Sequence, residues 1–346
     1  MSAAPRTVRD LPTPALIVDA GALEHNLAEM AAALPGPRCR PHVKAHKTTA
    51  LAARQAAHGH RTFTAATPRE VIGLARAGLG EDLLLANECV DPDRLGAMAA
   101  LVADGTARIT VAVDSIATVD AAAAAGIREV LVDVEVGLPR CGIPPEGAGG
   151  IADAARARGL TVRGVMGYEG HVVGLASHDD RVRLTGAAME LLLAAHAEVG
   201  GEIVSAGGTG TYAINTWANE IQAGSYALMD TAYGALGLPF APALHLVATV
   251  VSVSAKGWAV IDCGLKSLGM DHGNPSVADA TVFFCSDEHT TLLPDEGIRL
   301  AVGDRVLVEP AHVDPTVAYH DTLHVADGPG SDAAVLETWA VDLRGW

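Results

Sequence analysis

Positive charge is scarce: 24 Lys and Arg stand against 41 Asp and Glu, leaving the chain a net charge of -17. That balance argues against nucleic acid or an anionic membrane surface as partner. An anionic cofactor would need a local basic site, which directs attention to Arg40, Lys44 and Arg140. Cysteine is sparse and scattered, with five residues (Cys39, Cys89, Cys141, Cys263, Cys285), an odd number and no C-x-x-C spacing. This excludes a disulfide framework or zinc finger and fits reduced thiols. No apolar run approaches the roughly 18 residues of a membrane span. The opening MSAAPRTVRDLPTPA lacks the apolar core of a secretory signal, so a soluble cytoplasmic protein is expected. Aromatics are only 4% of the chain while hydrophobic residues are 49%, so the core must be built from Ala, Val, Leu and Ile.

What is present is a regular alternation. Short β-rich runs at 39–45, 62–66, 82–87, 109–115, 129–136, 162–168, 203–209 and 221–230 are separated by alanine-rich helical stretches. Several of these end on a glycine (Gly59, Gly78, Gly126, Gly200), as a helix C-cap requires. Eight βα units argue for an α/β fold with a closed (β/α)8 TIM-like barrel over an open sheet. After about residue 240 β-branched runs follow one another without long helices, which predicts a second, mostly antiparallel β domain. The expected division is a barrel over 20–238 and a β domain over 239–346, joined by the N-terminal segment 1–19.

The segment Arg40-Pro41-His42-Val43-Lys44-Ala45-His46-Lys47 is the most unusual. Taken as extended, it puts Arg40, His42, Lys44 and His46 on one face. Such a face suits a pocket with an anionic ligand and one reactive amine, or a basic strand end paired with local carboxylates. Other chemically distinctive residues fall at predicted strand ends, where barrels keep their active sites. Arg140 follows the fifth strand, Tyr168 and His171 the sixth, and Gly207-Gly208-Thr209-Gly210-Thr211 the seventh. Glycines let backbone amides approach a phosphate and threonine hydroxyls add donors, which suits the phosphate site barrels place after their last strands. The stretch is neither a Walker A loop nor a dinucleotide fingerprint. In the β domain, His312 and Asp314 in Glu309-Pro-Ala-His-Val-Asp-Pro-Thr316 would project from one side of an extended chain. They could hold a divalent cation or form a plain hydrogen-bonded pair.

Pro-His-Val-Lys-Ala-His-Lys-Thr resembles the lysine motif of the D-threonine aldolase and D-serine dehydratase family, fold-type III enzymes related to the barrel of alanine racemase. The His-Val-x-Pro-Thr context of His312 and Asp314 resembles the metal motif of the same family. Glu288-His289, Ser225-Tyr226 with Met229-Asp230, and Asp262-Cys263-Gly264 also match, so the likeness runs over nearly the whole chain. The resemblance implies pyridoxal 5'-phosphate carried covalently on Lys44 and not on Lys47. It also implies phosphate contacts from Gly208, Thr209, Gly210 and Thr211, Arg140 beside the 3'-oxygen, and Tyr168, Ser225 and Tyr226 around the cofactor. A divalent metal would sit on His312 and Asp314; the hard oxygen of Asp314 favours Mn2+, with Mg2+ or Zn2+ as alternatives. The implied reaction is retro-aldol cleavage of a D-3-hydroxy amino acid, D-threonine giving glycine and acetaldehyde, with His171 or a water on the metal as base. The alternative is dehydration of the D-serine or D-threo-3-hydroxyaspartate type to a keto acid and ammonia. A non-catalytic cofactor carrier would lack residues 240–346. A metal hydrolase would leave Lys44 unexplained. By analogy the protein is expected to be a homodimer.

Overall fold

The Val, Ile and Leu runs in the first two thirds of the chain are buried along nearly their whole length, as strands covered by helices on one face and by a barrel interior on the other must be. The computed structural model describes residues 7–346. It divides into two compact units. A barrel unit takes Met30–Lys44, Leu51–Gly224 and Leu343–Trp346; a β unit takes the N-terminal segment to Glu29, Ala45–Ala50 and Ser225–Asp342. The boundary expected at 238/239 therefore falls inside a segment that clusters as one unit. Of the expected 1–19 segment, residues 1–6 lie outside the described residues.

Secondary structure begins with β1 (Ala15–Asp19), a strand of the β unit. The barrel strands are β2 (Thr62–Ala65), β3 (Asp82–Leu85), β4 (Ile109–Val113), β5 (Glu129–Asp133), β6 (Thr161–Met166), β7 (Ile203–Ala206) and β8 (Glu220–Ile221). They pair in parallel in that order. The eighth barrel strand is reduced to two bridges, Cys39 with Ile221 and His42 with Thr64, which close the cylinder between β8 and β2. Arg40 and His42 donate their amides to Ile221 and Ala223, while the Pro41 carbonyl accepts from Thr64 at 2.9 Å. Pro41 has no N–H to contribute, which fits so short a ladder.

Helices α1 (Ala20–Ala33), α2 (Thr49–Ala57), α3 (Pro68–Arg76), α4 (Pro92–Ala103), α5 (Ile116–Ala124), α6 (Ala148–Ala157) and α7 (His178–Val199) alternate with these strands. The glycines read as helix stops at 59, 78, 126 and 200 all adopt positive φ, from 68° to 102°. Inside the barrel Leu84, Ala112, Leu131, Met166 and Ile203 form an apolar layer.

In the β unit, β9 (Leu244–Val253), β10 (Ala259–Ile261), β11 (Ser276–Val277), β12 (Ala280–Cys285), β13 (Thr290–Pro294), β14 (Arg305–Glu309), β15 (Thr322–Ala326) and β16 (Val335–Ala340) join β1 in one sheet. The ten residues of β9 let it pair with β1, β14 and β10 at once, so β9, β10, β13, β12, β11 and β14 close into a ring. Pairing is antiparallel except between β1 and β15. The expected strand over 221–230 is corrected. Only Glu220–Ile221 is extended; Ser225–Ala227 forms a 3-10 turn, and Met229 adopts φ 57° before the short helix α8 (Thr231–Gly234).

Candidate active site

Arg40 does not share a face with Lys44, contrary to the extended reading of 40–46. It is 2% exposed, forming ion pairs with Asp82 at 3.3 Å and Glu220 at 2.8 Å. Asp82 starts β3 and Glu220 starts β8, so this cation serves the N-terminal end of the barrel. Arg163 of β6 completes the network with two bonds to Asp82, at 2.9 and 2.8 Å, and one to Thr110 at 2.7 Å. This end of a barrel is concerned with stability. The ordinary reading of a basic strand end paired with carboxylates therefore holds for Arg40. The chain leaves the extended state at Val43, and Lys44 sits half-buried in a 3-10 turn, Val43–Ala45, at the C-terminal rim.

Three expected residues meet on that rim. The Arg140 guanidinium lies over the Tyr168 ring, 5.5 Å from its centroid. A Cβ at Gly208 would stand 3.5 Å from the same ring, so Tyr168 is flanked by an arginine on one loop and a bare glycine on another. His171 is exposed, and its ring lies against Gly137 in the Arg140 loop. The 207–211 loop is shaped by a residue that sequence reasoning missed. Glu169, fully buried, accepts from the Gly207 amide (3.0 Å), the Thr211 hydroxyl (2.9 Å) and Asn215 (3.0 Å). The Thr211 hydroxyl also accepts from the Gly208 amide at 3.2 Å. Thr211 thus helps to organise the loop. Thr209 is buried, and a Cβ at Gly210 would fall 1.8 Å from the Val173 carbonyl oxygen, so only glycine lets the two loops pass.

Asp133, at the end of β5, was also missed, although strand-end logic applies to it. Burial pushes its carboxyl well above the usual range, and the charge of Glu88 and a hydrogen bond to it push the same way; Arg140 pulls back. Burial, then Glu88, also raises the Cys141 thiol to about 11, which keeps it protonated. An amine, a fixed guanidinium, a flat ring and a glycine-rich loop on one rim are the donor set that an aromatic aldehyde bearing a phosphate needs, so these residues fit pyridoxal phosphate.

The β unit holds the expected metal residues in a different arrangement. His312 and Asp314 are not neighbours on a strand: His312 is the N-cap of α9 (Val313–Ala318), and Asp314 lies in its first turn. His312 makes no capping bond. Asp230 takes the Val313 amide at 2.9 Å in its place. Burial raises the Asp230 carboxyl, and the amides it accepts only partly offset this. The His312 imidazole is left to face Asp271 and His272, two residues sequence reasoning did not single out. Ligand atoms of Asp271, His272 and His312 lie within 4.8 Å of one another. The His312 imidazole is a donor that suits a divalent cation. Tyr226 is fully buried with its ring 5.6 Å from that of Phe240, and Ser225 is 9% exposed beside it.

The chain belongs to the family of the alanine racemase N-terminal domain, whose model matches residues 18–232; a putative serine dehydratase domain matches 243–326. That family comprises fold-type III pyridoxal-phosphate enzymes. Among its relatives, 3-hydroxy-D-aspartate aldolase of Paracoccus denitrificans (strain Pd 1222) is 33% identical, with 97% of this chain and 93% of the relative covered. The crystal structure of D-threonine aldolase from Filomicrobium marinum matches at a TM-score of 0.91 and 33% identity, covering 99% of both chains. D-threo-3-hydroxyaspartate dehydratase of Delftia sp. (strain HT23) is 27% identical over 98% of this chain and 99% of the relative.

Proposed function

We propose that the protein is a pyridoxal-phosphate- and divalent-metal-dependent aldolase that cleaves D-3-hydroxy amino acids to glycine and an aldehyde. The observation that carries this is the meeting of Arg140, Tyr168 and Gly208 on the rim that bears Lys44. The names of the aldolase relatives supply the reaction class. Bound pyridoxal phosphate supplies an electron sink for the pair left when the Cα–Cβ bond breaks. A divalent cation supplies Lewis acidity at the 3-hydroxyl.

The chain's own residues do the rest. The Lys44 Nζ would hold the cofactor covalently. Arg140 keeps a permanent positive charge beside the ring position where a phenolate needs one, and Tyr168 sets the plane of the ring. Gly208, Thr209 and Gly210 carry the phosphate on the loop that Glu169 and Thr211 hold in shape. His171, exposed beside Gly137, or a water on the cation would take the hydroxyl proton. Ser225 and Tyr226 complete the cofactor surroundings, and His312 with Asp314 holds the cation, best Mn2+ for so hard a carboxylate. The working enzyme is a cytoplasmic homodimer.

The decisive experiment incubates purified protein with D-threonine or D-3-hydroxyaspartate and Mn2+, with and without chelator. Glycine with acetaldehyde or glyoxylate supports aldol cleavage. A keto acid with ammonia, the outcome expected of a dehydratase like the Delftia relative, would replace this reading.

A further inference from the structure

Taking His312 as a metal ligand leaves its two nearest neighbours without a role. Its Nδ1 lies 2.9 and 2.8 Å from the two carboxylate oxygens of Asp271. The His272 ring is stacked on the His312 ring, with centroids 3.8 Å apart and planes 9° apart. Two arrangements of this trio are conceivable: three ligands on one ion, or one ligand steadied by two partners.

The stacking decides between them. An imidazole nitrogen directs its lone pair in the plane of its ring, and two nearly parallel planes this far apart share no point where a single ion could sit. The Nδ1 edge of His312 is in addition already occupied by Asp271. Only the Nε2 edge of His312 remains for a cation. A carboxylate on the far nitrogen of a ligating histidine fixes its tautomer, orients the ring and raises its basicity.

The loop carrying Asp271 is tied to α9. Gly269 forms an antiparallel bridge with His312. Its amide donates to the Thr316 hydroxyl at 2.8 Å, which itself donates to the His312 carbonyl at 2.7 Å. A Cβ at 269 would fall 2.2 Å from Pro315 Cγ, so glycine is what allows this approach. The backbone that presents His312 and the backbone that presents Asp271 are therefore one fastened piece.

We infer that Asp271 is a positioning residue: it takes the Nδ1–H of His312 and turns Nε2 toward a divalent cation, while His272 braces the ring by stacking and does not ligate. This rests on the reading of His312 as a metal ligand. The test titrates Mn2+ into metal-stripped, full-length protein and follows loss of the free-ion signal by electron paramagnetic resonance. Wild type is compared with Asp271→Asn, Asp271→Glu, His272→Phe and His312→Ala, each checked for native circular dichroism. Asp271→Asn should weaken Mn2+ binding about 10- to 100-fold. Asp271→Glu should recover part of that loss, and His272→Phe, which keeps a flat ring, should bind Mn2+ close to wild type. His312→Ala should bind least. Asp271→Asn binding as tightly as wild type would overturn the inference, as would His272→Phe binding as weakly as His312→Ala. If His312→Ala itself binds like wild type, the metal reading fails and not merely the role given to Asp271.

Discussion

At the scale of single residues, two lysines three positions apart have different fates. Lys44 belongs to the barrel unit, in a turn at its C-terminal rim; Lys47 belongs to the Ala45–Ala50 segment of the β unit and has a left-handed backbone, φ 48°. Lys44→Ala should therefore remove the covalent link to the cofactor, abolishing the visible absorbance of the bound imine and most of the turnover. Lys47→Ala should retain the absorbance. Borohydride reduction followed by peptide mapping checks this, and label on Lys47 would sink the assignment. Lys44 could be singled out in the sequence because it sits in a short basic motif that resembles a family lysine motif. Its surroundings were not legible there: a period-two reading grouped it with Arg40, whereas the chain turns at Val43, and Arg40 pairs with Asp82 and Glu220. An extended stretch and one that curls after four residues look alike in sequence.

At the scale of elements, strand ends were readable and the supports beneath them were not. Arg140, Tyr168 and Gly208 were found because each follows an apolar run, and they do meet. Glu169 was overlooked because a carboxylate between Tyr168 and Gly170 gives no sign that it will be buried under another loop 38 residues away. His312 and Asp314 were taken as strand neighbours, but Pro315 sits comfortably in a first helical turn and α9 forms there. Glu169→Ala should leave the Gly207 amide, the Thr211 hydroxyl and the Asn215 amide without their acceptor. The expected loss is about 3 kcal/mol of unfolding free energy, less than the sum of three charge-assisted bonds because neighbouring groups relax together. The 207–211 loop should loosen with it, raising the dissociation constant for pyridoxal phosphate. Urea unfolding read alongside a cofactor titration checks both. Unchanged values in both would mean the loop holds its shape without Glu169.

At the scale of the whole molecule, alternation and glycine-stopped helices announced the barrel, and the change of texture near residue 240 announced the β sheet. The position of the division was harder to read, because Ser225–Asp342 clusters together although its first residues follow directly on the barrel. What ties the barrel's N-terminal end together is a charge network drawn from the closing segment, β3, β4, β6 and β8, and Asp82 lies at its centre. Burial alone would raise the Asp82 carboxyl, but the hydrogen bonds of Arg163 and the charges of Arg40 and Arg163 outweigh it and hold the group below its ordinary value. A carboxyl depressed on folding contributes stability that is full above the unfolded-state pKa, about 4, and lost as pH falls through the lower folded-state value. Asp82→Asn removes that contribution and leaves two buried guanidinium groups short of a partner, at a cost of about 3–5 kcal/mol near neutrality. The gap in unfolding free energy between wild type and variant should stay constant from pH 7 to about pH 5 and shrink below about pH 4. Denaturant unfolding across that range measures it. A gap that did not narrow in acid would mean that packing, and not the charge of Asp82, is what the network contributes to the barrel.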